Sequence, residues 1–194
     1  MSRLVVTEHV TLDGVMQAPG RADEDTRGGF AFGGWAIPNN DGVMGQKLGE
    51  GMAQGGPLLF GRRTYEDFFD FWPQQKDNPF TDVLNRVPKY VASRTLIEPL
   101  PWENSTLLDG DVPDAVVELK AQADKDIAVL GSGELVQQLI RHNLVDRYVL
   151  LMHPLVLGSG RRLFPDGVCV SLRLLDTVTT TTGVVIATYE PRHG

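Results

Sequence analysis

Two short glycine-bearing stretches hold the residue types best suited to chemistry in this chain. One is Leu58-Leu59-Phe60-Gly61-Arg62-Arg63-Thr64-Tyr65-Glu66 and the other Ile127-Ala128-Val129-Leu130-Gly131-Ser132-Gly133-Glu134-Leu135. In each, a short apolar run breaks at glycine and a helix-compatible stretch follows. Such a junction points free backbone N–H groups and the positive end of a helix dipole at one place, which binds phosphate. Arg62 and Arg63 oppose that dipole, and an anion between them and the helix end would resolve the conflict. Ser93-Arg94-Thr95 adds a third polar, basic segment just past a strand-like run. Ligands of open α/β sheets collect beyond the carboxyl ends of the strands. Three phosphate-compatible strand ends therefore suggest a ligand with phosphates at more than one point, such as a dinucleotide.

Two familiar nucleotide motifs fail. Val136 stands where a Rossmann fingerprint has its third glycine, and no Gly-Lys-Ser/Thr completes a Walker A loop. Asp41 suits a helix N-cap or a catalytic acid, and Asp13, before Gly14, suits a turn at the mouth of a site. His9, His142, His153 and His193 show no ligand spacing with carboxylates, so no metal is expected, and His153 reads as structural. Cys169 reads as a small buried hydrophobe at a strand start. Trp35, Phe68, Trp72 and Trp102 could wall a flat aromatic substrate, with core packing the alternative for at least two of them.

The elements needed to position these residues can be read from pattern. Strands are expected over 3–10, 57–60, 89–92, 105–108, 126–130 and 145–152, with a hairpin of 170–179 and 184–189 around Thr182-Gly183. Helices are expected over 62–71, 78–86, 133–142 and from the Asp111 cap to about 123. A further helix, capped by Asn40 or Asp41, runs to about 54, weakened by Gly45, Gly49 and Gly51. Residues 17–40, rich in Gly and Asp and carrying Phe30, Phe32 and Trp35, form a long loop suited to a lid or substrate wall. Alternating strands and helices followed by strands alone imply an α/β fold with a mostly parallel sheet and antiparallel edge additions.

Bulk properties narrow the class of function. The 194 residues suit one domain over 1–194, and 42% hydrophobic with 22% charged residues is globular composition. A net charge of −7 argues against nucleic acid or an anionic membrane as partner. One cysteine, no apolar run long enough to span a bilayer and no signal-peptide pattern point to a cytoplasmic protein.

The Gly61-Arg62-Arg63-Thr64 turn, Ser93-Arg94-Thr95 and the Leu130-Gly131-Ser132-Gly133-Glu134-Leu135 turn resemble, in order, the cofactor-binding segments of dihydrofolate reductases. Thr11-Leu12-Asp13-Gly14 and Leu155-Val156-Leu157-Gly158-Ser159-Gly160-Arg161-Arg162-Leu163-Phe164 are more similar still to one branch of that fold, the C-terminal reductase domain of riboflavin biosynthesis. The resemblance implies a dihydrofolate reductase-like three-layer α/β/α fold with about eight strands, NADPH as cofactor, a small-molecule substrate and a homodimer. It places Ser93-Arg94-Thr95 at the adenosine 2′-phosphate and ribose, and the second glycine turn at the pyrophosphate and nicotinamide. It gives Asp41 and Asp13 as catalytic candidates. Thr7 replaces the Lys, and Leu130 the Glu, of the pathway's pyrimidine reductase, so a different substrate is implied. An NADPH-binding sensor without turnover and a true dihydrofolate reductase are the alternative readings.

Overall fold

The computed structural model describes residues 1–192, so His193 lies outside the described residues. Its strands are β1 (Leu4–Thr11), β2 (Leu58–Gly61), β3 (Lys89–Ala92), β4 (Ser105–Leu107), β5 (Ile127–Leu130), β6 (Arg147–His153), β7 (Leu172–Thr179) and β8 (Val185–Pro191). The helices are α1 (Gly42–Ala53), α2 (Arg62–Phe71), α3 (Pro79–Arg86), α4 (Val112–Gln122) and α5 (Gly133–Arg141). The strands form one sheet in the order β4-β3-β2-β5-β1-β6-β8-β7. Strands β1 to β6 pair in parallel, while β8 runs antiparallel to β6 and β7 antiparallel to β8. This is the mostly parallel sheet with an antiparallel C-terminal hairpin expected from the sequence. Among the described residues no helix is long and apolar enough to cross a membrane.

Burial on both faces explains the short central strands. Leu58, Leu59 and Phe60 are each almost fully buried, as a parallel strand between two helical layers requires. On β1 the even positions Leu4, Val6 and Val10 pack with Val116 of α4 and Leu135, Val136 and Leu139 of α5. On the opposite face, Phe60, Tyr65, Leu84, Val91 and Trp102 form a second core under α2 and α3. Helix α1 adds a smaller contact, Met44 against Leu151, Val184 and Ile186. Met44 is the buried residue of α1, and Leu48 and Met52 of the same helix line a cavity between it and the sheet.

Three local expectations change. Cys169 is exposed and lies before β7 instead of buried at its start, because that strand begins only at Leu172. Asp111 takes the N-cap position of α4 but makes no side-chain cap bond. Strand β6 starts at Arg147, two residues after the buried Val145 that pattern alone assigned to it.

Candidate active site

The two glycine turns are cross-linked. Gly61 N donates to Ser132 Oγ at 3.0 Å, and Ser132 N donates to Thr64 Oγ1 at 2.9 Å. Ser132 sits at φ 60 and Gly131 at φ 59, a left-handed pair that folds the chain back between β5 and α5. A Cβ at Gly131 would lie 3.0 Å from Thr64 Cγ2, so the close approach of the turns needs glycine there. Neither α2 nor α5 has a side-chain N-cap bond, which leaves the amides of their first turns for another acceptor.

Charge gathers at the same place. Arg27, Arg63 and Arg161 each direct an Nη1 to one oxygen, Oε1 of Glu134, at 2.8, 3.1 and 2.8 Å. Asp25 also takes Arg27, through Nε at 2.7 Å and Nη2 at 2.6 Å, so three guanidiniums meet two carboxylates at the positive end of α5 and one positive charge is left in excess. An anion is the missing counterpart, and a pyrophosphate fits both the charge and the free amides. Arg62 behaves differently, pairing along α2 with Glu66 at 3.4 Å. The two arginines that the sequence presents as equivalent therefore point in different directions.

From this corner a cavity of about 1430 Å³ extends across the sheet beneath α1. That exceeds the roughly 300–1,000 Å³ of a site for one small molecule, so there is room for a cofactor end and a substrate together. The first part of the long loop forms one wall, including Gln17, Arg21, Glu24 and Arg27. Two ion pairs pin it in place: Arg21 with Asp67 on α2, and Arg27 with Glu134 on α5. The later part packs into its own small core, where Trp35 and Phe30 are buried. Phe68 and Trp72 line the cavity, whereas Trp35 stacks edge-on against His153 and Trp102 lies in the α2–α3 core.

Strand lengths set the inner end of the cavity. β1 pairs with β5 only as far as Thr7↔Leu130, yet it continues beside β6 to Thr11. Past Thr7 the β5-facing edge of β1 has lost its neighbour, and the Gly131-Ser132-Gly133 turn peels away from it. Thr7 and Leu130, the two departures from the pyrimidine reductase pattern, are thus register partners on adjacent strands and both line the cavity. Thr and Leu in place of a Lys–Glu pair is one change in space, and it leaves this part of the cavity wall without charge.

Two groups at this notch, Glu8 and His9, were not among the site residues expected from the sequence. Glu8 lines the cavity with only 3% exposure, and neither of its oxygens has a hydrogen-bond partner among the described residues. Burial first, and the charge of Glu24 second, hold its carboxyl well above the usual range. His9 lines the opposite face, and its Nδ1 lies 2.9 Å from Nε2 of the buried His153. Burial lowers both imidazoles to about 4, so the pair is neutral near pH 7. Glu8 was legible in principle: it is the one charged residue in the run of buried even positions Leu4, Val6 and Val10.

The other nominated residues fall as follows. Arg63, Thr64, Leu130, Gly131, Ser132, Gly133 and Glu134 line the cavity; Gly61 and Leu135 back the turns from just outside it. Ser93, Arg94 and Thr95 follow β3, two strands from the second glycine turn, outside the lining. Ser93 Oγ accepts from Thr95 N and Leu96 N, which fixes that turn. Asp41 borders the cavity as the N-cap of α1, accepting from Met44 N at 2.8 Å and from Thr181 N and Oγ1 at 2.7 Å each. These bonds hold its carboxyl below the usual range, so it stays ionised. Asp13 lies outside the lining and accepts from Thr11 Oγ1, Leu157 N and Gly158 N. The Thr11 bond leads in bringing it down to about 2.

Comparison with known proteins gives the family and the fold. Residues 3–186 match the family model of the RibD C-terminal domain. The uncharacterized protein YyaP of Bacillus subtilis (strain 168) is 30% identical over 195 residues, covering 96% of this chain and 94% of that one. A candidate riboflavin biosynthesis protein from Shewanella sp. PV-4 superposes with a TM-score of 0.72 at 23% identity, covering 100% of both chains. Dihydrofolate reductase from Enterococcus faecalis, solved with NADP(H) and RAB-propyl, gives a TM-score of 0.63 at 13% identity, covering 98% of this chain and 97% of that one.

Proposed function

The chain belongs to the RibD C-terminal domain family, whose dihydrofolate reductase-like fold is that of reductases, and we propose that it is an NADPH-dependent reductase of a small heteroaromatic or carbonyl substrate. The arginine cluster on Glu134 carries this reading, because it supplies unbalanced positive charge and open amides where a pyrophosphate would lie. Gly131, Ser132, Gly133, Arg27, Arg63 and Arg161 would hold the dinucleotide, whose nicotinamide supplies a hydride when bound. The residues of the chain do the rest: they orient the ring at the notch beside β1, and the loop held by Arg21 and Arg27 keeps water out. The unlike pair Thr7 and Leu130 favours a substrate without the charged group that a Lys–Glu pair would meet.

The deciding experiment is a calorimetric titration with NADPH, followed by NADPH oxidation in the presence of phenanthrenequinone, benzaldehyde and dihydrobiopterin. Binding with oxidation on at least one probe is expected. Absence of binding at millimolar cofactor overturns the reading, and binding without oxidation selects the sensor alternative. Preference for NADPH over NADH is assigned to Arg94, which stands exposed at the end of β3. Arg94→Ala is expected to narrow the ratio of the two affinities, and an unchanged ratio transfers the role to Arg62 or Arg63. The homodimer implied by the family is read directly from sedimentation.

A further inference from the structure

Glu8 presents a problem that the fold alone does not solve. An ionised carboxylate buried without partners costs far more than a domain can spare, so the group must be neutral. A neutral carboxyl in turn carries an O–H donor, and no described residue accepts from it. The ionisable groups lining the cavity around this notch include His9 on β1, Arg147 on β6, Lys47 on α1, Arg21, Asp23, Glu24, Asp25 and Arg27 on the loop, Arg63 on α2, Glu134 on α5 and Arg161 after β6. Of these only Glu24 exerts a charge effect on Glu8, and its sign opposes ionisation. The missing acceptor is therefore on whatever fills the cavity.

Position specifies which acceptor. Glu8 is the first residue of β1 beyond its pairing with β5, level with the Gly131-Ser132-Gly133 turn. The cavity passes this open end of the β1–β5 seam, so its lining there takes Thr7, His9 and Leu130 from one face of the sheet and Glu8 from the other. A ligand that enters at the turn and fills the seam reaches both. We propose that Glu8 is the acid that delivers the proton in this reduction, to a substrate whose hydride-accepting carbon is doubly bonded to nitrogen or oxygen. The inference rests on the reductase reading. Hydride from the dihydronicotinamide forms the new C–H bond and brings both electrons. The C=N or C=O π pair moves to the heteroatom, which takes the Glu8 proton, and the O–H bond of Glu8 breaks. Oxidised nicotinamide and the Glu8 carboxylate remain, and the carboxylate regains a proton from water when product leaves. Asp41 is unsuited to this step, because its oxygens are committed as acceptors.

The test compares the wild type, Glu8→Gln and Glu8→Asp as NADPH complexes. First, protein carrying carbon-13 at the glutamate carboxyls is titrated by NMR. One resonance is expected to keep the position of a neutral acid through pH 7 and to be missing from Glu8→Gln. Second, NADPH affinity is expected to agree within about twofold, since the cluster on Glu134 is untouched, while kcat on the three probes falls by about 10²–10⁴ in Glu8→Gln and partly returns in Glu8→Asp. Third, the wild-type kcat declines on the alkaline side and the residual rate of Glu8→Gln does not. Ordinary titration of every glutamate, or an unchanged kcat, overturns the role of Glu8. A raised NADPH Kd with unchanged kcat makes Glu8 a cofactor contact instead. Failure of the wild type to bind or oxidise NADPH overturns the reductase reading itself, a result distinct from all of these.

Discussion

Single residues of β1 and β6 set opposing demands on stability. Glu8 has a raised folded-state pKa, so above pH 4.5 the unfolded chain releases a proton that the folded chain keeps. Its stabilising contribution is full below that value and declines as pH rises, by up to about 1.4 kcal/mol per pH unit. The stability of Glu8→Gln relative to the wild type is therefore expected to increase from pH 4.5 to 8 in urea unfolding, while activity falls. A constant difference would mean that Glu8 titrates normally. The histidine pair has the opposite sign. His9 and His153 are lowered from 6.5 to about 4, so their contribution is full above pH 6.5 and is lost as pH falls toward 4. Each costs up to about 3 kcal/mol over that interval. His153→Phe, which keeps a ring against Trp35, is expected to flatten the acid limb of stability, and an unchanged limb would place the acid sensitivity elsewhere.

At the scale of elements, the sequence announced the strand–glycine–helix units because their chemistry is local. The ends of α2 match the expected 62–71, and the other main elements agree within about two residues. Which turn bonds to which is not local, and no pattern within 58–66 or 127–135 reveals the Ser132–Gly61 and Ser132–Thr64 bonds. The notch beside Glu8 was equally hidden, since it arises from the unequal pairing of β1 with β5 and β6. Loop residues 17–40 were legible as a wall, but not the division of labour that sends Arg21 and Arg27 to the cavity and Trp35 to a core. Two glycines of one turn should respond differently to alanine. At Gly131 the backbone is left-handed and Thr64 Cγ2 would be 3.0 Å away, so Gly131→Ala is expected to cost about 1–3 kcal/mol in thermal unfolding and to weaken NADPH. At Gly133 the obstruction is Met16 Sδ at 2.7 Å, near the end of a flexible side chain. Gly133→Ala should be milder in stability, and equal losses would show that Met16 has nowhere to move.

For the molecule as a whole, net charge and local charge point opposite ways. A chain at −7 repels a dinucleotide at long range, yet its groove concentrates Arg27, Arg63 and Arg161 on one carboxylate. All four side chains are substantially exposed, so their attraction for a phosphate is screened and NADPH affinity should weaken as salt rises. Glu134 has a double character in this arrangement. In the first turn of α5 it favours the helix and gathers the arginines, but it also occupies the charge that a pyrophosphate would use. If the phosphates compete with it, Glu134→Gln should bind NADPH several-fold more tightly, with a steeper salt dependence, at a cost of about 0.3–1 kcal/mol in stability. If instead Glu134 acts by holding the arginines in place, the variant binds more weakly and its salt dependence flattens. Titrations at two salt concentrations separate these outcomes. The competing arrangement also accounts for the loop: because Arg27 is shared between the loop and the cluster, a ligand that draws Arg27 from Glu134 acts on the wall of its own cavity.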